Sequence, residues 1–108
     1  MGEKVQMKKG EGVKYDQHKP RWSLLPWKQI EWVVKVLTVG AIKYSDDNWK
    51  FIPNIDERYS SACMRHLVAR MEGNVHDEET GLPHLAHAVC CILFWMWFDD
   101  NPEERVIE

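Results

Sequence analysis

Two histidines stand one helical turn apart in this chain, His84 and His87, directly after a loop rich in carboxylates. The loop carries Asp77, Glu78 and Glu79, and Glu72 precedes it. A third histidine, His66, follows Arg65 on the preceding segment. Imidazoles and carboxylates in one place bind a divalent ion or move protons. Residues at i and i+3 share a helix face, so His84 and His87 can serve one centre. Carboxylates suit Mg2+ or Mn2+, ions that accept oxygen ligands and keep positions open for phosphate. Glu72, Asp77, Glu78, His84 and His87 are therefore the candidate metal and catalytic set. Glu72 and Asp77 stand out because they flank the turn, whereas Glu79 serves a cap or solvent. Against this stands a plainer reading, a solvated acidic loop that caps a helix, with His66 a satisfied core histidine. Arg65 offers a planar fork that matches phosphate, or else makes a surface ion pair.

A second cluster lies earlier: Lys14-Tyr15-Asp16, Lys19-Pro20-Arg21, Lys43-Tyr44 and Asn48-Trp49. Cations beside aromatic rings can hold the phosphate and base of a nucleotide. Tyr44 and Trp49 can equally pack on a helical bundle. The letters of an H…HD…D phosphohydrolase are present in His66, His76-Asp77 and Asp99. That reading is set aside, because His66 and His76 are too close and His76-Asp77 falls in a loop after a glycine.

Three helices must position these groups. The first is expected over Pro26 to Tyr44, where Trp27, Ile30, Val33, Val34 and Leu37 recur at helical spacing. Proline suits a first helical turn, and Ser23 can help cap it. The second is expected from Asp56, as N-cap, to Met71 or Glu72, with Gly73 as its stop. The third starts near Thr80 to Pro83 and runs to about Phe98. Residues 14–25 read as an extended segment and 45–55 as a polar loop. No strand pattern or repeat appears. The fold class is all-α: a small bundle of three main helices. Residues 1–13 read as a flexible arm, 14–100 as one domain and 101–108 as an acidic tail. So wide an apolar third helix predicts a homodimer or homotetramer.

Composition bounds the partners. The 108 residues fit one domain, and 44% apolar content supports a packed core. A net charge of −3 excludes a general binder of polymeric nucleic acid, which needs a basic surface. A single nucleotide needs only a local basic pocket or a metal. Cys63, Cys90 and Cys91 are odd in number and lack a CxxC spacing, so reduced thiols are expected. The charged N-terminus is no signal peptide, and the apolar run 88–98 is too short to span a bilayer. A cytoplasmic protein without membrane contact is expected. Some of the six tryptophans should be core, and a few can face a flat ligand.

Read in order, these words add up. Lys14-Tyr15-Asp16, Lys19-Pro20-Arg21, Ser23-Leu24-Leu25-Pro26, Gly40-Ala41-Ile42-Lys43-Tyr44 and Asn48-Trp49 come first. Arg58-Tyr59, Arg65-His66-Leu67, Glu72, Asp77-Glu78 and Thr80-Gly81-Leu82-Pro83-His84-Leu85-Ala86-His87-Ala88 follow. Together they resemble the phage and prophage family described as the dATP/dGTP diphosphohydrolase N-terminal domain, related to the MazG-like nucleotide pyrophosphohydrolases. The resemblance covers about Lys14 to Phe94. It implies an all-α, oligomeric fold that cleaves a deoxynucleoside triphosphate, dGTP- or dATP-like, to a monophosphate and pyrophosphate with Mg2+ or Mn2+. It implies Glu72, Asp77, His84 and His87 as the metal and water-handling set. It further implies nucleotide contacts from Lys43, Tyr44, Asn48, Trp49, Arg65 and His66. Relatives of the MazG type hold metal with an ExxE…ExxD array, and here the third helix offers HxxH instead. Cys91 also stands where the family pattern favours asparagine. An alternative is thus a non-catalytic protein that sequesters a nucleotide or nucleotide signal, and a purely structural helical module is a third.

Overall fold

The computed structural model describes residues 6–107. Three helices of equal length carry the fold: α1 (Trp27–Lys43), α2 (Ile55–Met71) and α3 (His84–Asp100). Short 3-10 turns cover Trp22–Leu24, Asn48–Phe51 and Pro102–Glu104. There is no strand among the described residues, only one isolated bridge between His76 and Pro83. The fold is the all-α bundle that the periodicity predicts.

The central helix is α3, which packs on both others. Towards α1 it places Ala86 and Cys90 against Val33, flanked by Trp32, Val36, Leu37 and Phe94. Towards α2 it places Ala88 and Cys91 against Cys63, flanked by Tyr59, Ala62 and Leu67. The buried residues at both contacts are small apart from Val33, which lets helix axes approach closely. Phe98 is wholly buried near the end of α3 and anchors that end. Burying one such side chain contributes roughly 1.5–3 kcal/mol.

The helix ends follow local chemistry, with two shifts from expectation. Gly73 stops α2 in a left-handed conformation at φ 96°. Its N–H donates to the Arg70 carbonyl at 3.0 Å and Asn74 N–H to Ala69 at 3.0 Å, a Schellman ending. The start of α2 lies one residue before Asp56, with Asn54 as N-cap. Asp56 does not cap, because its carboxylate is taken by Trp95 Nε1 at 2.8 Å and Arg105 at 3.3 Å. It still favours the helix electrostatically from the first turn. Likewise α3 opens at His84, not at Thr80, because the Thr80 hydroxyl is engaged inside the loop.

Beyond the helices, Arg105 also binds Asp99 at 3.0 Å, and the Asn54 N–H donates to the Val106 carbonyl at 2.8 Å, which ties residues 105–106 back to α2 and α3. Residues 6–29 are exposed throughout. The first five residues of the expected arm, and residue 108, lie outside the described residues. No described helix is long and apolar enough to cross a membrane.

Candidate functional site

A cleft of about 960 Å³ opens between α1, the 45–49 loop, α2 and α3. That is the upper end of the range for small-molecule sites, roughly 300–1,000 Å³. Its two ends differ in chemistry. One is apolar and aromatic, with Leu37, Trp49, Phe94 and Trp97. The other is polar, with Lys43, His66, Asp77, Glu79, Thr80 and His87.

The aromatic wall is rigid. Trp49 stacks on Phe94 with centroids 4.5 Å apart and an interplanar angle of 13°. It meets Trp97 edge-on at 5.2 Å and Phe98 at 6.3 Å. The Tyr59 hydroxyl donates to the Trp49 carbonyl at 2.8 Å. Burial pushes the Tyr59 phenol up to about 12, so it stays a donor at neutral pH. Trp49 therefore packs on the bundle and also lines the cleft. Tyr44, 63% exposed at the mouth, is the freer ring.

The polar end is built by the loop between α2 and α3. Asp77 N–H donates to the Leu82 carbonyl at 2.8 Å, and Gly81 N–H to the Asp77 carbonyl at 2.7 Å. Gly81 supplies the left-handed turn, at φ 72°. This knot fixes Asp77 beside the first turn of α3. The Asp77 Oδ2 accepts the Thr80 N–H at 3.0 Å and its hydroxyl at 3.1 Å. Burial works against the charged carboxylate, but the two Thr80 donors outweigh it, and its pKa is lowered overall.

The same Thr80 oxygen lies 2.8 Å from His87 Nε2 and accepts the Leu82 N–H at 3.1 Å. A hydroxyl has one proton, and a carboxylate can only accept. The Thr80 proton therefore goes to Asp77, and His87 must donate through Nε2. His87 is left with a bare Nδ1 when neutral. Its ring stacks on that of His66, with centroids 4.6 Å apart at 10°. His66 Nδ1 lies 2.8 Å from His84 Nδ1, so one of the two is protonated there and the other is bare. His66 and His87 both have lowered pKa values, chiefly because burial penalises the imidazolium. A donor atom from each of His66, Asp77 and His84 lies within 4.8 Å of the others, a spacing that fits one metal ion.

Lys43 bridges the mouth to Glu79 at 2.6 Å. The Glu79 carboxylate, by hydrogen bond and charge, raises the Lys43 pKa. Asn48 also lines the cleft. Other expected residues are placed elsewhere. Arg65 follows the other face of α2, although its neighbour His66 lines the cleft. Arg65 and Glu72 line a separate shallow groove on α2 with Met64 and Val68. Glu78 is exposed and stands outside the close histidine–aspartate group. Lys14, Lys19 and Arg21 lie on the exposed N-terminal segment, away from the cleft lining.

Two lining residues escape a search for metal ligands alone. Arg58 enters the cleft two turns before His66 on α2, and Thr80 connects Asp77 to His87. Nothing in the sequence separates Arg58 from Arg65, which lies seven residues on at nearly the same helix angle. Nothing in the sequence distinguishes the Thr80 hydroxyl from a capping one.

A family described as "dATP/dGTP diphosphohydrolase, N-terminal" matches residues 9–106. A protein of Salmonella phage PMBT28 named "dATP/dGTP diphosphohydrolase" is 39% identical over 90 residues, or 83% of this chain. The aligned part is 30% of that relative's length. No solved structure matches the chain.

Proposed function

Since the chain belongs to the dATP/dGTP diphosphohydrolase N-terminal family, we propose that it hydrolyses a purine deoxynucleoside triphosphate to a monophosphate and pyrophosphate. The observation that carries this reading is the two-ended cleft, with an aromatic wall at one end and Lys43, Asp77 and His87 towards the other. The base lies against the Trp49, Phe94 and Trp97 end. The phosphates lie at the histidine end, where Lys43 exchanges its Glu79 partner for a phosphate oxygen.

The cleft's charge asks for an additional cation. Two basic residues line it, against Asp46, Asp47, Asp77 and Glu79. A triphosphate adds several more negative charges. A divalent ion such as Mg2+ or Mn2+, held at the Asp77 end, would neutralise phosphate oxygens and polarise the bond to be cleaved. The chain's own residues supply the rest. Asp77, fixed by Thr80, orients the polar end. His87 is neutral at pH 7 and receives a proton at Nδ1 from the attacking water. Water oxygen adds to the α-phosphorus, its bond to the bridging oxygen breaks and pyrophosphate departs with that oxygen. The aromatic wall keeps bulk water from the base end.

Incubation with dATP or dGTP and Mg2+ or Mn2+, followed by separation of products, tests the reading. Monophosphate and pyrophosphate in equal amounts support it. Release of intact nucleotide from the heated protein, with no turnover, would replace it with sequestration.

A further inference from the structure

We propose that His66, Asp77 and His84 form a three-ligand centre for a first-row ion that takes imidazole nitrogen readily, of the Co2+ class, in preference to Mg2+. The proposal rests on the cleft reading above only in placing the open coordination positions towards phosphate.

Geometry selects these three residues. Their donor atoms already lie within 4.8 Å of one another. The His66 and His84 Nδ1 atoms are 2.8 Å apart. Two nitrogen ligands of one tetrahedral ion, with bonds near 2.0–2.1 Å, sit roughly 3.3 Å apart. Exchange of the shared proton for an ion therefore needs the rings to part by only about half an ångström. Asp77 contributes a carboxylate oxygen, and the two Thr80 donors on Oδ2 hold that carboxylate in place. His87 is no ligand in this arrangement. Its Nε2 is committed to Thr80 and its ring braces His66 from below. His87 and Thr80 are positioning residues, as the outer partners of metal ligands commonly are.

Donor chemistry then selects the ion. Two of the three ligands are imidazoles. Mg2+ demands oxygen ligands, gives up water reluctantly and is poorly served by nitrogen. Affinity for a mixed nitrogen and oxygen site rises along the first row from Mn2+ to Co2+ and beyond. Three protein ligands leave positions for water or phosphate oxygen.

Metal-free wild-type protein is titrated with CoCl2, MnCl2 and MgCl2 by calorimetry, without nucleotide, and the visible spectrum of the Co2+ form is recorded. One Co2+ per chain is expected, bound at least about tenfold more tightly than Mg2+, with absorption bands of nitrogen ligation. His66→Ala and His84→Ala should each weaken Co2+ by about tenfold or more, and Thr80→Val by about 10–100-fold. Glu72→Ala and Glu78→Ala should change nothing. Equal affinity for Mg2+ and Co2+, or unchanged Co2+ binding in both histidine variants, overturns the proposal. If those variants fail to fold by circular dichroism, the wild-type Co2+ spectrum decides, and all-oxygen ligation overturns it. Co2+ bound through these residues without any turnover would sink the hydrolase reading and leave the centre standing. Turnover with Mg2+ and no histidine-dependent binding would do the reverse.

Discussion

Thr80→Val isolates the hydroxyl on which the polar end depends. Valine matches threonine in shape, so no cavity forms and only the hydroxyl's bonds are lost. Three are at stake: from Leu82 N–H at 3.1 Å, to Asp77 Oδ2 at 3.1 Å and with His87 Nε2 at 2.8 Å. A neutral hydrogen bond contributes about 0.5–1.5 kcal/mol net and one to a charged group about 1.5–3 kcal/mol. All three are part-buried, so water replaces some of what is lost. An overall cost of about 2–3 kcal/mol follows. For a domain this size that is a fall in melting temperature of about 10–20 °C. Thr80→Ser keeps the hydroxyl and should cost under about 1 kcal/mol. Thermal unfolding followed by circular dichroism measures both. A valine variant melting within about 4 °C of the wild type would refute the assignment of Thr80 as the hub.

Lys43→Ala should leave the melting temperature unchanged, since its pair with Glu79 is exposed. It should raise KM for the nucleotide about tenfold or more by removing a charged phosphate contact, read from initial rates. Stability should fall with acid: His66 and His87 have native pKa values below the unfolded value near 6.5. The unfolded chain then binds more protons, so their contribution is full above pH 6.5 and declines as pH drops through and below it. Asp77, lowered in the native state, adds a further loss only below its ordinary value of 3.8. A melting temperature flat from pH 7.5 to 5 would contradict the histidine burial. Self-association through α3 is expected to use Leu85, Val89, Ile92 and Met96, spaced 4, 3 and 4 apart and 39% to 55% exposed. Val89→Glu should shift the mass seen by light scattering to that of a monomer. Cys90 and Cys91 are buried, with thiols pushed up to about 12 and about 11, so thiol reagents should react slowly until the protein unfolds.

The helices were legible because apolar spacing and the breakers Pro26 and Gly73 report backbone preferences that act locally. Their extents, Trp27–Lys43, Ile55–Met71 and His84–Asp100, lie close to those expected. The structure departs from expectation where a side chain is claimed from afar. Asp56 looks like an N-cap in sequence, but Trp95 and Arg105 hold it, and both are about forty residues or more away. Arg65 and His66 are neighbours in sequence and diverge in space, because a helix turns each residue 100° from the last. The choice between them as cleft residues depends on which face of α2 meets α3, and Cys63 and Leu67 settle that only once packed. Glu72 and Asp77 flank the same turn, but the knot between Asp77, Gly81 and Leu82 carries one into the cleft while the other caps α2.

The division of labour in the cleft follows from one property of α3. Its face towards the cleft carries His87, Phe94 and Trp97, placed at separations of seven and three residues. These intervals keep all three within about 80° of helix angle, so one broad face holds an imidazole at its start and aromatic rings further on. A helix rises about 1.5 Å per residue, which puts His87 and Trp97 roughly 15 Å apart. A ligand that satisfies both ends must therefore be elongated, polar and charged at one end, and flat and apolar at the other. A free phosphate would leave the aromatic end unused, and a free base would leave Lys43 and the histidines without an anion. A nucleotide meets both demands along one axis. The loop that starts α3 fixes Asp77 beside the histidines by two backbone bonds and by the Thr80 N–H on its carboxylate, so the polar end is formed before any ligand arrives.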